Sequence, residues 1–264
     1  MKLIKYFGYY LFTWKHLIVI FIVFGLQGAL FISSYSGETV FHTVITELIL
    51  KFYGVDRPGI ELFSWLLHQL PLYALLGVFI YQQWNHHFIY VFPRVETIYR
   101  WLHAFLCISF IFIGIYFFVG FCTTGVSLLG IKKWFLAHDQ LLSILPLFAQ
   151  NPLHMIHIFL LMWLHAFLLF LMYFMIFLLS WNLVIGMISV IGMIYFSVIG
   201  LYIDFPWAAY FPTVRSMIKG HEKLHLSFAY SYLFFAFFIV VLYIGIRLIL
   251  KYNKDIIWKI KNEI

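Results

Sequence analysis

Six stretches of this chain run for about 20 residues or more with almost no charge, at roughly 16–34, 60–83, 98–121, 152–180, 182–204 and 225–249. At about 1.5 Å of rise per residue, each is long enough to cross the hydrocarbon of a bilayer as a helix. In lipid every backbone N–H and C=O must be satisfied within the protein, and a run this long and uniformly apolar does so as a helix. The expected class is therefore all-α, a polytopic membrane bundle of about six spans. Composition agrees: 64% of the 264 residues are hydrophobic and 10% are charged, too few polar side chains to cover a water-soluble globule. The first run follows Met1, Lys2 and Lys5 without a small-residue cleavage site after Phe31, so it reads as a retained anchor.

Six spans put both termini on one side. Lys2, Lys5, Lys15, Arg94, Arg100, Arg247, Lys251, Lys254, Lys259 and Lys261 share that side, against seven basic residues on the other. The excess predicts cytoplasmic or matrix termini, in a bacterial or mitochondrial inner membrane. The formal net charge of +7 is spread among the connections and forms no single basic face, which argues against nucleic acid. The lipid bilayer is the first expected partner.

Residues 131–149 mix Lys132, Lys133, Trp134, His138 and Asp139 with leucines, a pattern expected of an interfacial helix. The short link Ser180, Trp181, Asn182 predicts an antiparallel hairpin of the fourth and fifth spans. Gly186, Gly192 and Gly200 on the fifth are expected to permit close helix packing. Cys107 and Cys122 lie in no C-x-x-C pattern, which excludes covalent haem attachment and a cysteine zinc site.

All ten carboxylates fall in connections or at span edges. A proton-coupled transporter would place one at mid-membrane, and a channel would carry a polar lining. Histidine is what enters the spans instead: His68, His103, His154, His157 and His165, with His221 and His225 at the mouth of the last. A neutral imidazole tolerates low dielectric when one nitrogen donates to a partner and the other binds a metal. Taken singly, each reads equally well as an interhelical hydrogen-bonding residue.

Helical spacing puts His154 and His165 about 20° apart around one helix and His157 about 60° from His154. Depth counted from the connections levels His103 with His165 at an inner site. It levels His154 or His157 with His221 or His225 at an outer one. Two stacked centres, each with histidines from two helices, describe a membrane cytochrome b.

Arg100, Trp101, Leu102 and His103 form an R-x-x-H opening that resembles the cytochrome b561-like subunits of nickel-iron hydrogenases, formate dehydrogenases and thiosulfate reductases. The resemblance covers about residues 92–250. It implies a four-helix haem-binding bundle over 92–264, with 1–91 as an amino-terminal two-helix addition. It further implies one or two haem b groups, with His154 or His157 on the second helix of that bundle and His221, Glu222 and His225 opening the fourth. His103, His165, His154 and His221 are then the expected iron ligands, and electrons would pass between quinol or quinone and another membrane or peripheral redox subunit. Ala104 stands where the family has tryptophan, and Phe235 and Ile239 stand where it has a second fourth-helix histidine. The pairing of His103 with His165 is thus a geometric substitute.

Two other classes remain open. One is a cofactor-free structural or assembly subunit of a large membrane respiratory complex. The other is a membrane enzyme with a non-haem metal, for which His86, His87, His221 and His225 do not complete a histidine box.

Overall fold

The apolar runs fold as the lipid constraint requires. The computed structural model describes residues 2–35, 52, 54, 60–87, 98–129 and 154–252, and every regular element among them is helical. In chain order these are α1 (Lys2–Leu11), α2 (Trp14–Tyr35), α3 (Ile60–Tyr81, continued by a π turn Gln82–His87), α4 (Ile98–Leu129) and α5 (His154–Ser180). There follow α6 (Leu183–Tyr202), α7 (Pro212–Ser216), α8 (Ile218–Lys223) and α9 (Phe228–Tyr252). Among the described residues, α4, α5, α6 and α9 are long and apolar enough to span a membrane, and the bent pair α1–α2 makes a fifth candidate. The chain is an integral membrane helical bundle. The expected interfacial helix at 131–149 lies outside the described residues.

The first expected span, 16–34, is longer and broken. Thr13 Oγ1 accepts from the His16 N–H at 3.4 Å, and the His16 ring donates from Nδ1 to the Leu11 carbonyl at 2.6 Å. A side-chain cap of this kind begins a new helix, and α1 meets α2 at 50°. Together they track α4 in the same direction, Phe7 meeting Trp101 and Phe105, Phe12 meeting Phe112, and Phe24 meeting Gly120.

The other long helices alternate. α3 runs against α4, with Phe79 stacked on Phe105 at 5.0 Å and the Tyr116 hydroxyl donating to the His68 carbonyl at 2.7 Å. α5 also opposes α4, through Trp163, whose Nε1–H donates to the Phe110 carbonyl at 2.8 Å. The expected hairpin of α5 and α6 forms: Trp181 turns with φ 56°, and the Asn182 side chain caps α6 by accepting from Val184 N at 2.8 Å. α9 lies parallel to α5, with Phe228 beside His157, Phe235 beside His165 and Gly245 beside Met175. One buried cluster extends from Phe7 in α1 to Leu250 in α9, so the helices of 1–91 share their core with those of 92–264.

Helices in lipid gain little from hiding apolar surface and associate through close packing and polar contacts. Tyr173 of α5 shows how closely: it is wedged between Gly77 of α3 and Gly186 of α6, and a Cβ on either glycine would collide with it. Gly200 similarly faces Phe211, whose ring would lie 3.1 Å from a Cβ added there. Gly192 does not fit the expectation, because a Cβ there would meet nothing within 4 Å. Gly186→Ala should therefore destabilise the protein by about 1–3 kcal/mol, seen as a lower Tm in detergent. Gly192→Ala should leave Tm nearly unchanged.

Candidate functional site: a histidine cluster at one end of the bundle

Between α6 and α9 the chain does not simply cross the surface. Ile203 ends α6, Asp204 turns with φ 53°, and the segment folds back so that Thr213, Val214, Ser216, Met217, Ile218 and His221 are all buried. Pro212 opens α7 at its first position, where its missing N–H costs nothing. Gly220 lets α8 approach the Val214 carbonyl, a place a Cβ could not occupy. Lys223 closes the fold, donating to the Leu201 carbonyl at 2.6 Å and pairing with Asp204 at 2.7 Å.

This arrangement carries His221 under the start of α9 and beside the start of α5. The Phe228 ring lies parallel to the His157 ring at 4.4 Å, against the His221 ring at 4.6 Å, and edge-on to the His154 ring at 5.5 Å. His221 Nδ1–H donates to the Met217 carbonyl at 2.8 Å, which fixes the neutral tautomer with Nε2 as acceptor. Nε2 then accepts from the Ser231 hydroxyl at 2.9 Å, and Ser231 Oγ accepts from Arg215 Nη1 at 3.4 Å. Arg215 is held by its Nε–H on the Ala209 carbonyl at 2.6 Å and lies 4.6 Å over the Phe234 ring. His157 Nδ1 and the Tyr232 hydroxyl share a hydrogen bond of 2.8 Å. Burial above all holds the His221 pKa below its usual 6.5; the Met217 carbonyl opposes the shift, while the nearby Arg215 and His157 charges reinforce it.

The expected outer group thus assembles in part. His154, His157 and His221 meet around Phe228, while His225 is exposed in a left-handed turn with φ 49° and stands outside the stack. The expected inner pair does not meet. His103 is exposed, bonds through Nε2 to the Tyr243 hydroxyl and stacks on that ring at 5.6 Å. His165 is fully buried and bonds through Nε2 to Thr213 Oγ1 at 3.1 Å. His165 is level with Phe110, the partner of its neighbours Trp163 and Phe167, about 10 Å along α4 from His103. Counting depth from loop edges placed it too close to the α4 start. His68 accepts at Nδ1 from Gln27 Nε2 at 3.4 Å and joins α2 to α3.

Haem ligation asks for two imidazoles facing a flat slot, each with a nitrogen free for iron. Here the slot between His157 and His221 is filled by Phe228, and both nitrogens of His221 are engaged. The residues in this arrangement do not fit haem. Nor do the described residues hold any group of three or more His, Cys, Asp or Glu able to bind a metal ion. Two tryptophans of α4 and α5 are packed, Trp101 stacked on Phe105 at 5.0 Å and Trp163 on Phe110 at 4.5 Å.

Sequence reasoning found the histidines and missed what joins them: Phe228, Ser231, Tyr232, Arg215 and Thr213. The i, i+4 spacing of Phe228 and Tyr232 was the available signal, diluted in a chain with 32 Phe and 18 Tyr.

A lowered histidine pKa gives stability that is complete above about pH 6.5 and is lost as pH falls below it, because the unfolded chain binds the proton more readily. Tm should therefore drop between pH 7.5 and 5, and His221→Gln should flatten that dependence. Phe228→Ala, which empties the centre of the stack, should cost about 3–5 kcal/mol, read by thermal or denaturant unfolding. No family model, no curated protein and no solved structure matches the chain.

Proposed function

We propose that this chain is a cofactor-free structural or assembly subunit of a larger membrane complex, of the respiratory kind considered above, with α3 as a sixth span. Its histidines act as interhelical joints. The observation that carries the reading is the His157–Phe228–His221 stack, in which a phenyl ring sits where a prosthetic group would have to lie. His103 with Tyr243, His157 with Tyr232 and His165 with Thr213 repeat the theme, each tying one element to another through a single hydrogen bond. The shape of the bundle also supports a partner. Only 17% of the most apolar window of α9 is buried, against 67% for α5, so one helix offers most of its surface to neighbouring helices or lipid.

A second reading, a b-type cytochrome passing electrons between quinol and a redox subunit, has one observation in its favour. His165 Nδ1 is buried without a hydrogen-bond partner, an uncommon and costly condition. A reduced-minus-oxidised optical spectrum with pyridine haemochrome quantitation on the purified, folded protein separates the two. The structural reading expects no haem band. Protohaem at one or two per chain would replace it with the cytochrome, and His165→Ala would then be expected to lose one centre.

A further inference from the structure

The end of the bundle opposite the histidine stack, where α4 begins and α9 finishes, collects cationic and aromatic groups, Arg247 and Lys251 among them. Arg247 is exposed, with its guanidinium carbon 4.6 Å over the Tyr99 ring and 5.8 Å from the centre of the Tyr243 ring. Tyr243 in turn stacks on His103 and bonds to its Nε2. One turn further along α9, Lys251 lies 5.0 Å over the Tyr252 ring. Arg247 makes no ion pair with a described residue, and the described ion pair Lys223–Asp204 is at the other end. The sequence from Arg247 to Ile264 keeps the excess, with five Lys or Arg (Arg247, Lys251, Lys254, Lys259, Lys261) against Asp255 and Glu263.

Arg247 sits where the apolar run of α9 gives way to Lys251 and Lys254, and His103 lies three residues after Arg100 in α4, so both stand near the edge of the apolar layer. At that depth a long side chain reaches the headgroup level while its stem stays in hydrocarbon. The two tyrosine rings flank the exposed guanidinium and restrict its side chain, which lowers the entropy lost when it takes a ligand. A planar fork of donors matches two oxygens of a phosphodiester. Lys251 adds a second positive charge, which favours a headgroup of net negative charge over a zwitterionic one.

We propose that the cluster of Arg247, Tyr99 and Tyr243, between the start of α4 and the end of α9, binds the headgroup of an anionic phospholipid, with Arg247 as the phosphate ligand and the two tyrosines as its positioning residues.

The test uses the full chain, delipidated in neutral detergent and titrated with phosphatidylglycerol, phosphatidylcholine or inorganic phosphate. Retained lipid is counted by native mass spectrometry, and Tm is followed in parallel. The wild type should hold phosphatidylglycerol about tenfold more tightly than phosphatidylcholine, the scale of one charge-assisted hydrogen-bonded contact. Arg247→Gln should weaken the retention of both lipids, phosphatidylglycerol more than phosphatidylcholine because the lost charge acts on a headgroup of net negative charge, so that most of the preference disappears. Arg247→Lys, which keeps the charge and loses the fork, should retain more of it. Lys223→Gln at the far end should retain all of it. Equal binding of the two lipids by the wild type would overturn the proposal without recourse to any variant. So would a preference undiminished by Arg247→Gln, or displacement of phosphatidylglycerol by millimolar inorganic phosphate.

Discussion

Close approach between helices is the constraint on which this molecule depends. In water a helix is driven onto its neighbour by the apolar surface it hides, but lipid tails are as apolar as leucine, and that drive is absent. Fit has to replace it. Tyr173 between Gly77 and Gly186, Trp163 against Gly114 and Phe24 against Gly120 each set a large ring on a place with no side chain. The three contacts join α5 to α3 and α6, α5 to α4, and α2 to α4, so most of the bundle is held by rings seated on bare backbone.

Polar groups provide the second kind of joint, and their distribution is uneven. At one end the segment between α6 and α9 bonds to α5 through Thr213 and to α9 through His221, while the Ser216 hydroxyl donates to the Thr213 carbonyl, so these hydrogen bonds close within the protein. At the other end His103, Tyr243 and Arg247 form a chain of contacts open to the outside. Satisfied polar networks rigidify, and a set of exposed charges in a lipid setting is free to meet an external counter-ion. The two ends therefore differ in kind, one sealed and one open.

Much of the fold was legible in the residues because length and hydropathy act locally. The boundaries of α5 and α6 follow from an uninterrupted apolar run and from Asn182, a cap whose chemistry needs only the next three residues. The break at Phe12 and Thr13 was not read, since a cap inside an apolar region gives no change in hydropathy. The candidate site was legible only as a set of histidines. Their pairing depended on axial offsets between helices, and those offsets are decided by remote packing: Trp163 meeting Phe110 carries His165 away from His103 and toward Thr213. The excursion of 204–223 into the bundle was equally hidden, because Pro206 and Pro212 signal irregularity without saying where the chain goes.

That excursion has a mechanical consequence. Lys223 fastens its far end to the last turn of α6 through the Leu201 carbonyl and Asp204, so 204–223 is a closed loop with a single rim. The same loop is stitched to α5 by Thr213 and to α9 by His221 and Arg215. Three transmembrane helices therefore share one clasp. A sliding of α9 relative to α5 cannot be absorbed by a slack connection; it must either unfasten the clasp or drag α6 with it, which makes these helices a single lever.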